Sequence, residues 1–239
     1  MKYIVGFLLL AGSVASFGQK QLARPDIPGD LMIDVGLNYW DEEPLFIDQA
    51  GWRSKSISFY YVKRKALNDK FSFYYGVGLG LEKIGLGDSL TFSSGVLLNG
   101  DDNNPDNDEI SPLELTSLSE EISYDKNRLA VTYLDVPIDF RFHPKGTQDG
   151  EGLFLGVGGI VGLRLNSHMK YKFDENDETV IEKVKGGYNL STFRYGVQAR
   201  VGFKGVHLFY KQYFNDMFKD PIGSASPRMT TIGINLTGF

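Results

Sequence analysis

The sequence of 239 residues contains no cysteine. This absence excludes disulfides and thiolate metal sites, and because an acylated N-terminal cysteine is also excluded, we do not expect a lipoprotein. After the first few residues, the sequence has no apolar run of the roughly 20 residues that a membrane-spanning helix needs. The formal net charge of -5 gives no electrostatic reason to expect nucleic acid as a partner.

The N-terminus carries the pattern of a secretory signal peptide. Lys2 provides a positive charge, residues 4–11 are apolar, and small residues precede Gln19. A membrane anchor is the alternative, but the apolar run is well short of a spanning helix. We expect a cleaved signal peptide over residues 1–18 and an irregular periplasmic lead-in over residues 19–30.

Beyond the lead-in, apolar and polar side chains alternate at period two, as in β-strands. In one stretch Val77, Leu79 and Leu81 share a face, whereas Gly78 and Glu82 occupy the other. A soluble barrel would turn its larger apolar side chains inward; here the face with glycine and charge suits a narrow interior, and the apolar face suits lipid. Eight strands are predicted, over residues 31–39, 54–62, 71–84, 128–142, 152–166, 192–204, 206–214 and 228–238.

The connections between these strands are alternately long and short. Transmembrane barrels have long extracellular loops and short periplasmic turns, and a closed barrel satisfies every backbone N–H and C=O inside lipid. The sequence therefore predicts an all-β fold over residues 31–239, an eight-stranded antiparallel transmembrane β-barrel of the bacterial outer membrane. The long connections cover residues 40–53, 87–127, 167–191 and 215–227, and the short ones cover residues 63–70, 143–151 and 205.

The fifth predicted strand continues beyond the membrane. Its alternation persists through Met169, Tyr171 and Phe173, and residues 180–185 could return beside it. We expect a hairpin above the outer surface, with its tip at residues 174–179.

Three positions break the alternation. Leu129, Val131 and Tyr133 share one parity, whereas the apolar residues that follow have the opposite parity. We therefore expect a β-bulge near Tyr133 that keeps both sets facing lipid. Pro137 lies within the same strand, where its missing N–H indicates local strain, water or another bulge. The terminal Phe239 is out of phase with the strand that precedes it.

Charged side chains of both signs are expected inside the barrel. An eight-stranded barrel is just wide enough for its own side chains, and unpaired buried charge is costly. These charges should pair and fill the interior; a selectivity filter is the alternative. The predicted inward polar set is Glu82, Asp135, Asp139, Arg141, Arg164, Arg194, Gln198, Arg200 and Lys204.

The segment of residues 101–109 is rich in aspartate and asparagine. Its oxygen ligands could collect around a hard cation such as calcium, but it lacks the glycine and the closing glutamate of an EF-hand loop. We favour a solvated acidic loop, and a calcium site or divalent bridges to lipopolysaccharide are the alternatives.

No catalytic or cofactor-binding residue is predicted, and we expect neither an enzyme nor a cofactor. His143 and His207 fall near the periplasmic side, and His168 falls at the outer side, so the three histidines cannot converge. Only His168, beside Ser167, could belong to an outer-rim hydrolase, because a base needs its nucleophile within hydrogen-bond reach.

Aromatic residues near the strand ends predict girdles, since aromatic rings favour the headgroup layer of a bilayer. Such girdles would hold the barrel at its depth. The candidates are Trp40, Tyr39, Tyr60, Tyr61, Phe71, Phe142, Tyr210 and Tyr213.

With these features, the chain resembles the PorT-type outer-membrane β-barrel proteins of Gram-negative bacteria over most of its mature length. The resemblance lies in Tyr-Leu-Asp-Val-Pro-Ile at residues 133–138, similar to the family's Tyr-Leu-acidic-apolar-Pro-apolar segment, in Leu-Gly-Val-Gly-Gly at residues 155–159, and in Phe-Arg-Tyr-Gly at residues 193–196. It implies a small outer-membrane barrel in a family whose name-giving member is required for protein secretion.

The resemblance makes a non-enzymatic structural or accessory component of an outer-membrane protein assembly, such as a secretion machine, the leading functional expectation. A surface adhesin or receptor that acts through the long extracellular loops is the first alternative, and a small pore is the second. The expected partners are outer-membrane lipid, lipopolysaccharide and a protein of an outer-membrane complex.

Overall fold

The computed structural model describes residues 29–42, 51–86, 90–93, 114–117, 124–146, 152–175, 178–203, 205–222 and 225–237. The predicted signal peptide, residues 19–28 of the predicted lead-in, the acidic segment, Lys204 and Phe239 lie outside these ranges.

The regular secondary structure of the described residues consists of strands, apart from a short 3-10 turn at Gly51–Arg53. No helix among them is long and apolar enough to span a bilayer. The strands are β1 (Asp30–Trp40), β2 (Lys55–Ala66), β3 (Phe71–Leu86), β4 (Leu90–Ser93), β5 (Glu114–Ser117), β6 (Tyr124–Phe142), β7 (Phe154–Glu175), β8 (Glu178–Lys185), β9 (Phe193–Phe203), β10 (Val206–Tyr213) and β11 (Met229–Thr237).

Eight of these strands close into an antiparallel barrel. They pair in the order β6-β3-β2-β1-β11-β10-β9-β7, and the ring closes because β6 also pairs with β7. The predicted eight-stranded barrel is therefore confirmed, although β2 ends at Ala66 rather than at residue 62 and β6 begins at Tyr124 rather than at residue 128. The small sheet of β4 and β5 was not predicted.

The wall of the barrel follows the predicted alternation. Val157 and Val161 are exposed on the outside, at 65% and 54%, whereas Gly156 and Gly162 lie on the buried inner face. A Cβ added at Gly162 would collide with charged side chains of the lumen. Glycine at this position therefore makes room for the side chains that fill the barrel.

An apolar band covers the outside of the barrel. On β3 it runs from Phe71 to Leu81, and ten residue steps of about 3.4 Å, tilted by about 40°, rise roughly 26 Å, close to the apolar height of a transmembrane barrel. The long connections leave one end of this band and the short turns leave the other. The first end is extracellular and the second is periplasmic, following the usual arrangement of such barrels.

The outer part of β6 differs from the prediction. Leu129, Val131 and Tyr133 are buried, at 0%, 1% and 3%, and they share the inward face with Asp135, so alternation along β6 is unbroken. A bulge is present beside Tyr133, as predicted, but the expectation that it turns both apolar sets toward lipid is wrong. Beyond the apolar band, the mouth of the barrel is itself lined with apolar side chains, and the rule of polar inside and apolar outside no longer applies.

The irregularity lies on the neighbouring strand. Thr132 pairs with Asn166, and Tyr133 pairs with Arg164, which leaves Leu165 as an extra residue on β7. Such a bulge reverses the parity of the strand that carries it. The outer part of β7 therefore has the opposite orientation from the one its sequence alternation predicts.

Pro137 interrupts one ladder of the barrel without shifting its register. The pairing of β3 with β6 joins Tyr75 to Ile138 and Gly78 to Asp135, and the two positions between these described pairs are unpaired. Pairing of β6 with β7 continues through Pro137. The missing N–H of Pro137 therefore leaves a local gap in the β3–β6 ladder and does not produce another bulge.

The predicted hairpin above the barrel is confirmed, although its strands pair into the predicted tip of residues 174–179, as far as Glu175 and Glu178. Beyond the end of its pairing with β9 at Leu163, β7 continues and pairs with β8 from His168 to Glu175. Because of the bulge, Met169 points inward and is fully buried. The hairpin thus contributes both to the mouth of the barrel and to the surface above it.

Candidate functional site in the barrel lumen

Among the described residues, four carboxylates and four cations lie in the lumen, and all eight side chains are buried. Each lies on the inward face of its strand. The set has no net charge, as expected where charges are withdrawn from water in pairs. The eight residues are Asp34, Glu82, Asp135, Asp139, Arg141, Arg194, Arg200 and Lys211.

Arg194 on β9 is the centre of an outer cluster of charges. Its Nε and Nη2 donate to the two carboxylate oxygens of Asp135, at 3.0 and 2.6 Å, and its Nη1 donates to Oε1 of Glu82 at 2.9 Å. The guanidinium also lies over the ring of Tyr133, 3.8 Å from the centroid. Two carboxylates and an aromatic face compensate the desolvation of this cation.

Arg200, nearer the periplasm, is the centre of a second cluster. Its Nη1 and Nη2 donate to the two oxygens of Asp34, at 3.0 and 2.9 Å, and its Nε lies 3.1 Å from Oδ2 of Asp139. Lys211 Nζ lies 2.8 Å from Oδ2 of Asp34. Gln198 donates to the other oxygen of Asp139 at 2.7 Å. Both carboxylates are thereby shared between several donors.

Tyr60 joins the two clusters. Lys211 Nζ donates to the Tyr60 hydroxyl at 3.1 Å, and that hydroxyl donates to Oδ2 of Asp135 at 3.3 Å. On the other side of the outer cluster, Asn38 donates to Oε2 of Glu82 at 2.8 Å. The polar side chains form one connected network across the lumen, an arrangement that rigidifies a buried core when it is satisfied.

Arg141 marks the periplasmic end of the network. Its Nη2 lies 3.2 Å from Oδ2 of Asp139, and its Cζ lies 3.9 Å from the ring centroid of Tyr74 and 4.5 Å from that of Phe154. The guanidinium is held between these two rings, a favourable geometry for a cation with few carboxylates around it. This layer lies at the periplasmic end of the lumen.

A cluster of buried apolar side chains, the apolar cap, lies at the outer mouth. The connection between β10 and β11 folds over the opening, and Phe218 packs edge-to-face on Trp40 with a centroid separation of 6.2 Å. The backbone N–H of Ser191 donates to the carbonyl of Met217 at 2.9 Å, which ties this connection to the one between β8 and β9. The cap residues are Trp40, Ile84, Leu86, Leu129, Val131, Met169, Tyr188, Leu190, Met217, Phe218, Ile222 and Met229.

The family of the chain follows from comparison with known proteins. Residues 31–218 match the family of the outer membrane protein beta-barrel domain. The chain belongs to this family. It is therefore an integral protein of the outer membrane, as predicted.

Comparison with solved structures adds little to this assignment. Among the matches is the structure of Ail, the attachment invasion locus protein of Yersinia pestis, in complex with the heparin analogue sucrose octasulfate. It is 10% identical in sequence, with a TM-score of 0.31, and the match covers 89% of this chain and 100% of that one. At this TM-score the likeness carries no argument. No curated protein matches the chain.

In this outer-membrane barrel, most of the predicted inward polar set lies where alternation placed it. Glu82, Asp135, Asp139, Arg141, Arg194, Gln198 and Arg200 are buried in the lumen. Arg164 differs: it is half-buried at the outer end of the wall and donates to Ser167 Oγ at 2.9 Å and to the Gly187 carbonyl at 3.2 Å. It is the cross-strand partner of inward-facing Tyr133, at the outer end of the charged network and before the bulge at Leu165.

Sequence reasoning missed one side of the network. Asp34 and Asn38 on β1, and Lys211 on β10, were not among the predicted inward residues, yet all three are buried and bonded. The signal was present: Asp34, Gly36 and Asn38 alternate with exposed or half-exposed Val35 and its neighbours. Period two alone identifies them.

The girdle prediction is partly wrong. Tyr39 and Tyr210 are exposed on the outer face, at 40% and 41%. Trp40, Tyr60 and Tyr213 are buried in the lumen instead. Parity along the strand, rather than nearness to its end, decides which way an aromatic side chain points. The remaining candidates, Tyr61, Phe71 and Phe142, are partly exposed.

The histidines lie at two ends of the barrel. The rings of His143 and His207 both contact Phe154, with centroid separations of 5.7 and 4.5 Å, whereas His168 pairs with Ala130 on the outer part of β7. No group of three or more metal-ligating side chains that could hold a metal ion occurs within the described ranges.

His143 lies in the turn after β6 and shares a hydrogen bond of 2.8 Å with Ser72 through its Nε2. Burial, followed by the positive charges of Arg64 and Arg141, lowers the pKa of His143 below its ordinary value. The neutral form is therefore favoured in the folded protein.

Proposed function

We propose that this chain is a non-enzymatic, non-conducting outer-membrane barrel that serves as a structural or accessory component of a protein assembly such as a secretion machine. The observation that carries the proposal is the filled lumen: an aromatic and arginine layer, a charge-neutral network and an apolar cap occupy its length. A barrel occupied in this way leaves its outer connections and periplasmic turns for function.

The PorT-type resemblance supports the same assignment. Two of its segments meet inside the barrel, because Tyr133 and Asp135 of the first both contact Arg194 of the third. A residue of the glycine-rich segment, Gly158, lies against Asp139. The resembling residues thus build the interior of the barrel, which fits a family defined by a shared scaffold.

The hairpin of β7 and β8 supplies a surface for a protein partner. Among the described strands, β8 is at the end of the sheet order and pairs with β7 alone. Such an edge can accept an extended segment of another protein by strand addition. Ile181 on β8 is 54% exposed and offers an apolar contact beside that edge. We infer that a strand of a partner within the same assembly docks here.

A shortened hairpin tests this proposal. Because Met169 and Val184 are cross-strand neighbours, residues 170–183 can be replaced by an Asn-Gly turn without disturbing the barrel below. The shortened protein should insert and resist heat denaturation in detergent as the native barrel does. After mild detergent extraction it should no longer retain the protein that co-purifies with the native chain.

The matched control is Lys145→Ser in the periplasmic turn, which leaves the hairpin intact and should retain the partner. Equal retention by the shortened barrel would exclude the hairpin as the docking surface. Purification of the native chain alone, with no stoichiometric protein, would contradict the accessory role itself.

A further inference from the structure

Like charges face one another on the outside of the barrel, just above the apolar band. Lys55 on β2 pairs directly with Lys83 on β3. Two residues further out, on the same face, Arg128, Lys170 and Lys183 are consecutive neighbours across β6, β7 and β8. Direct cross-strand partners present their side chains on one face, and like charges in such pairs are destabilising.

These cations form a surface that we call the basic belt. In the part of the chain that the structure describes, no carboxylate lies within ion-pair distance of Lys55, Lys83 or Lys183. The belt consists of Lys55, Lys83, Arg128, Lys170, Lys183 and Lys185.

His168 lies among the cations of the belt. It lies in the part of β7 above the apolar band and pairs with Lys185 across the sheet. Burial first, and then the positive charges of its neighbours, lower its pKa below the ordinary value. The positive neighbours of this ring are Lys183, Lys170, Lys185 and Arg128.

A cavity opens at one end of the belt. It has a volume of about 310 Å³, and its lining includes Trp52, Arg53, Lys55, Lys83 and Arg128. The Trp52 side chain is 83% exposed. An exposed indole beside several cations offers a flat surface for a sugar ring and donors for phosphate oxygens.

The position of the belt indicates the source of the anion. Lys83 follows Leu81, the last residue of the apolar band on β3, by two residues, or about 7 Å along the strand. Its side chain is exposed and points away from the lumen. Charged groups at this level of an outer-membrane barrel meet the headgroups of the surrounding lipid.

On the opposite half of the outer rim, a cation is paired with a carboxylate of the chain. Arg228 pairs with Asp216 there at 3.2 Å, and its backbone N–H donates to Asp41 at 2.8 Å. The Arg228 guanidinium is thus already paired with a carboxylate of the chain. The belt residues themselves lie on β2, β3, β6, β7 and β8.

We propose that the basic belt binds the phosphate groups of the outer-leaflet glycolipid, lipopolysaccharide, and that the cavity takes one phosphorylated sugar of its lipid anchor. Anionic phosphates offset the repulsion between the paired lysines, and the acyl chains of the same molecule lie along the apolar band below. This inference is independent of the role in a protein assembly.

Binding of defined glycolipids to the full-length protein in zwitterionic detergent tests the proposal. Bisphosphorylated lipid A should bind in native mass spectrometry, and the double variant Lys55→Gln/Lys83→Gln should bind roughly tenfold more weakly for each cation removed. Dephosphorylated lipid A should bind the native protein no better than it binds the variant. The matched control is Lys63→Gln/Lys65→Gln on the same face of β2, whose cross-strand partners are Tyr75 and Phe73, and it should bind like the native protein.

Two outcomes of this binding measurement would overturn the proposal. Equal affinity of the native protein and the Lys55→Gln/Lys83→Gln variant for lipid A would exclude the belt as the site. Competition by inorganic phosphate or a soluble sulfated oligosaccharide, as strong as that by lipid A, would assign the belt to soluble anions rather than to lipid.

The stability of the same variant without lipid provides a second readout. In detergent at low salt, Lys55→Gln/Lys83→Gln should unfold at a higher urea concentration than the native protein, because the substitution removes a like-charge pair. A lower midpoint would mean that the chain itself already neutralises these lysines, and it would contradict a lipid-binding role for them.

Discussion

Arg200 binds Asp34 through both Nη atoms, at 3.0 and 2.9 Å, although the two residues are 166 positions apart in the sequence. Their strands, β9 and β1, are separated in the ring by β10 and β11. The pair therefore spans the lumen and connects walls that share no backbone hydrogen bonds. Two parallel donors to one carboxylate also fix the plane of the guanidinium.

Removal of the Asp34 carboxylate should destabilise the barrel strongly. Asp34→Asn leaves Arg200 and Lys211 with a reduced share of negative charge in a buried site, and breaking one side of such a pair costs about 3–5 kcal/mol. Urea unfolding in detergent measures the loss. The control is Val35→Leu, the adjacent outward residue, which should change the free energy of unfolding little. A similar stability for Asp34→Asn and native protein would show that the network contributes nothing to folding.

An arginine introduced on the outer face should destabilise the barrel more, the nearer it lies to the middle of the bilayer. Val161 is 54% exposed on β7 near the middle of the apolar band, and Val161→Arg should cost about 2–4 kcal/mol in lipid bilayers. Leu153, which precedes β7 at the periplasmic end, is 45% exposed, and Leu153→Arg should cost about 0–1 kcal/mol. Equal costs in a refolding titration into vesicles would mean that the apolar band is misplaced.

Most of the barrel could be predicted from the sequence, since the alternation of each strand reports which face meets lipid. The inference failed where that physical rule stops. At Leu129 and Val131 the outside is no longer lipid, and the interior has become an apolar cap, so apolar side chains turn inward. Sequence alternation also cannot locate a bulge on a neighbouring strand, as at Leu165.

The ion pairs within the candidate site could not be predicted from the sequence. Alternation placed Arg194 and Asp135 inside, but which carboxylate meets which cation depends on strand order and register. The basic belt was hidden for the same reason: Lys55 and Lys83 are unremarkable in their own strands and become neighbours only when β2 and β3 pair.

His143, in the turn after β6, should make the stability of the barrel depend on pH. The folded state lowers the pKa of His143 below its ordinary value, so the unfolded chain takes up a proton more readily. The stabilisation is complete above the unfolded pKa of about 6.5 and is lost as pH falls through the lower folded pKa. In urea titrations, the free energy of unfolding of the native protein should decline between about pH 7.5 and about pH 5. His143→Asn should make part of that decline shallower. An identical pH profile for the variant would contradict this role of His143.

The absence of native cysteine makes single-cysteine labelling a clean test of topology. A cysteine introduced by Lys183→Cys in the hairpin should react with a membrane-impermeant thiol reagent on intact cells. One introduced by Lys145→Cys in the opposite turn should react only after the outer membrane is permeabilised. The reverse pattern of labelling would invert the orientation assigned to the barrel.

The central claim is that the lumen is closed by its own side chains, and single-channel recording of the purified native protein in planar bilayers tests it most directly. The four buried cations and four buried carboxylates, together with the apolar cap, should prevent a continuous water column. We predict insertion without stable conductance. A steady, ion-selective current from the unmodified barrel would contradict the closed lumen and would make a pore the better account of its function.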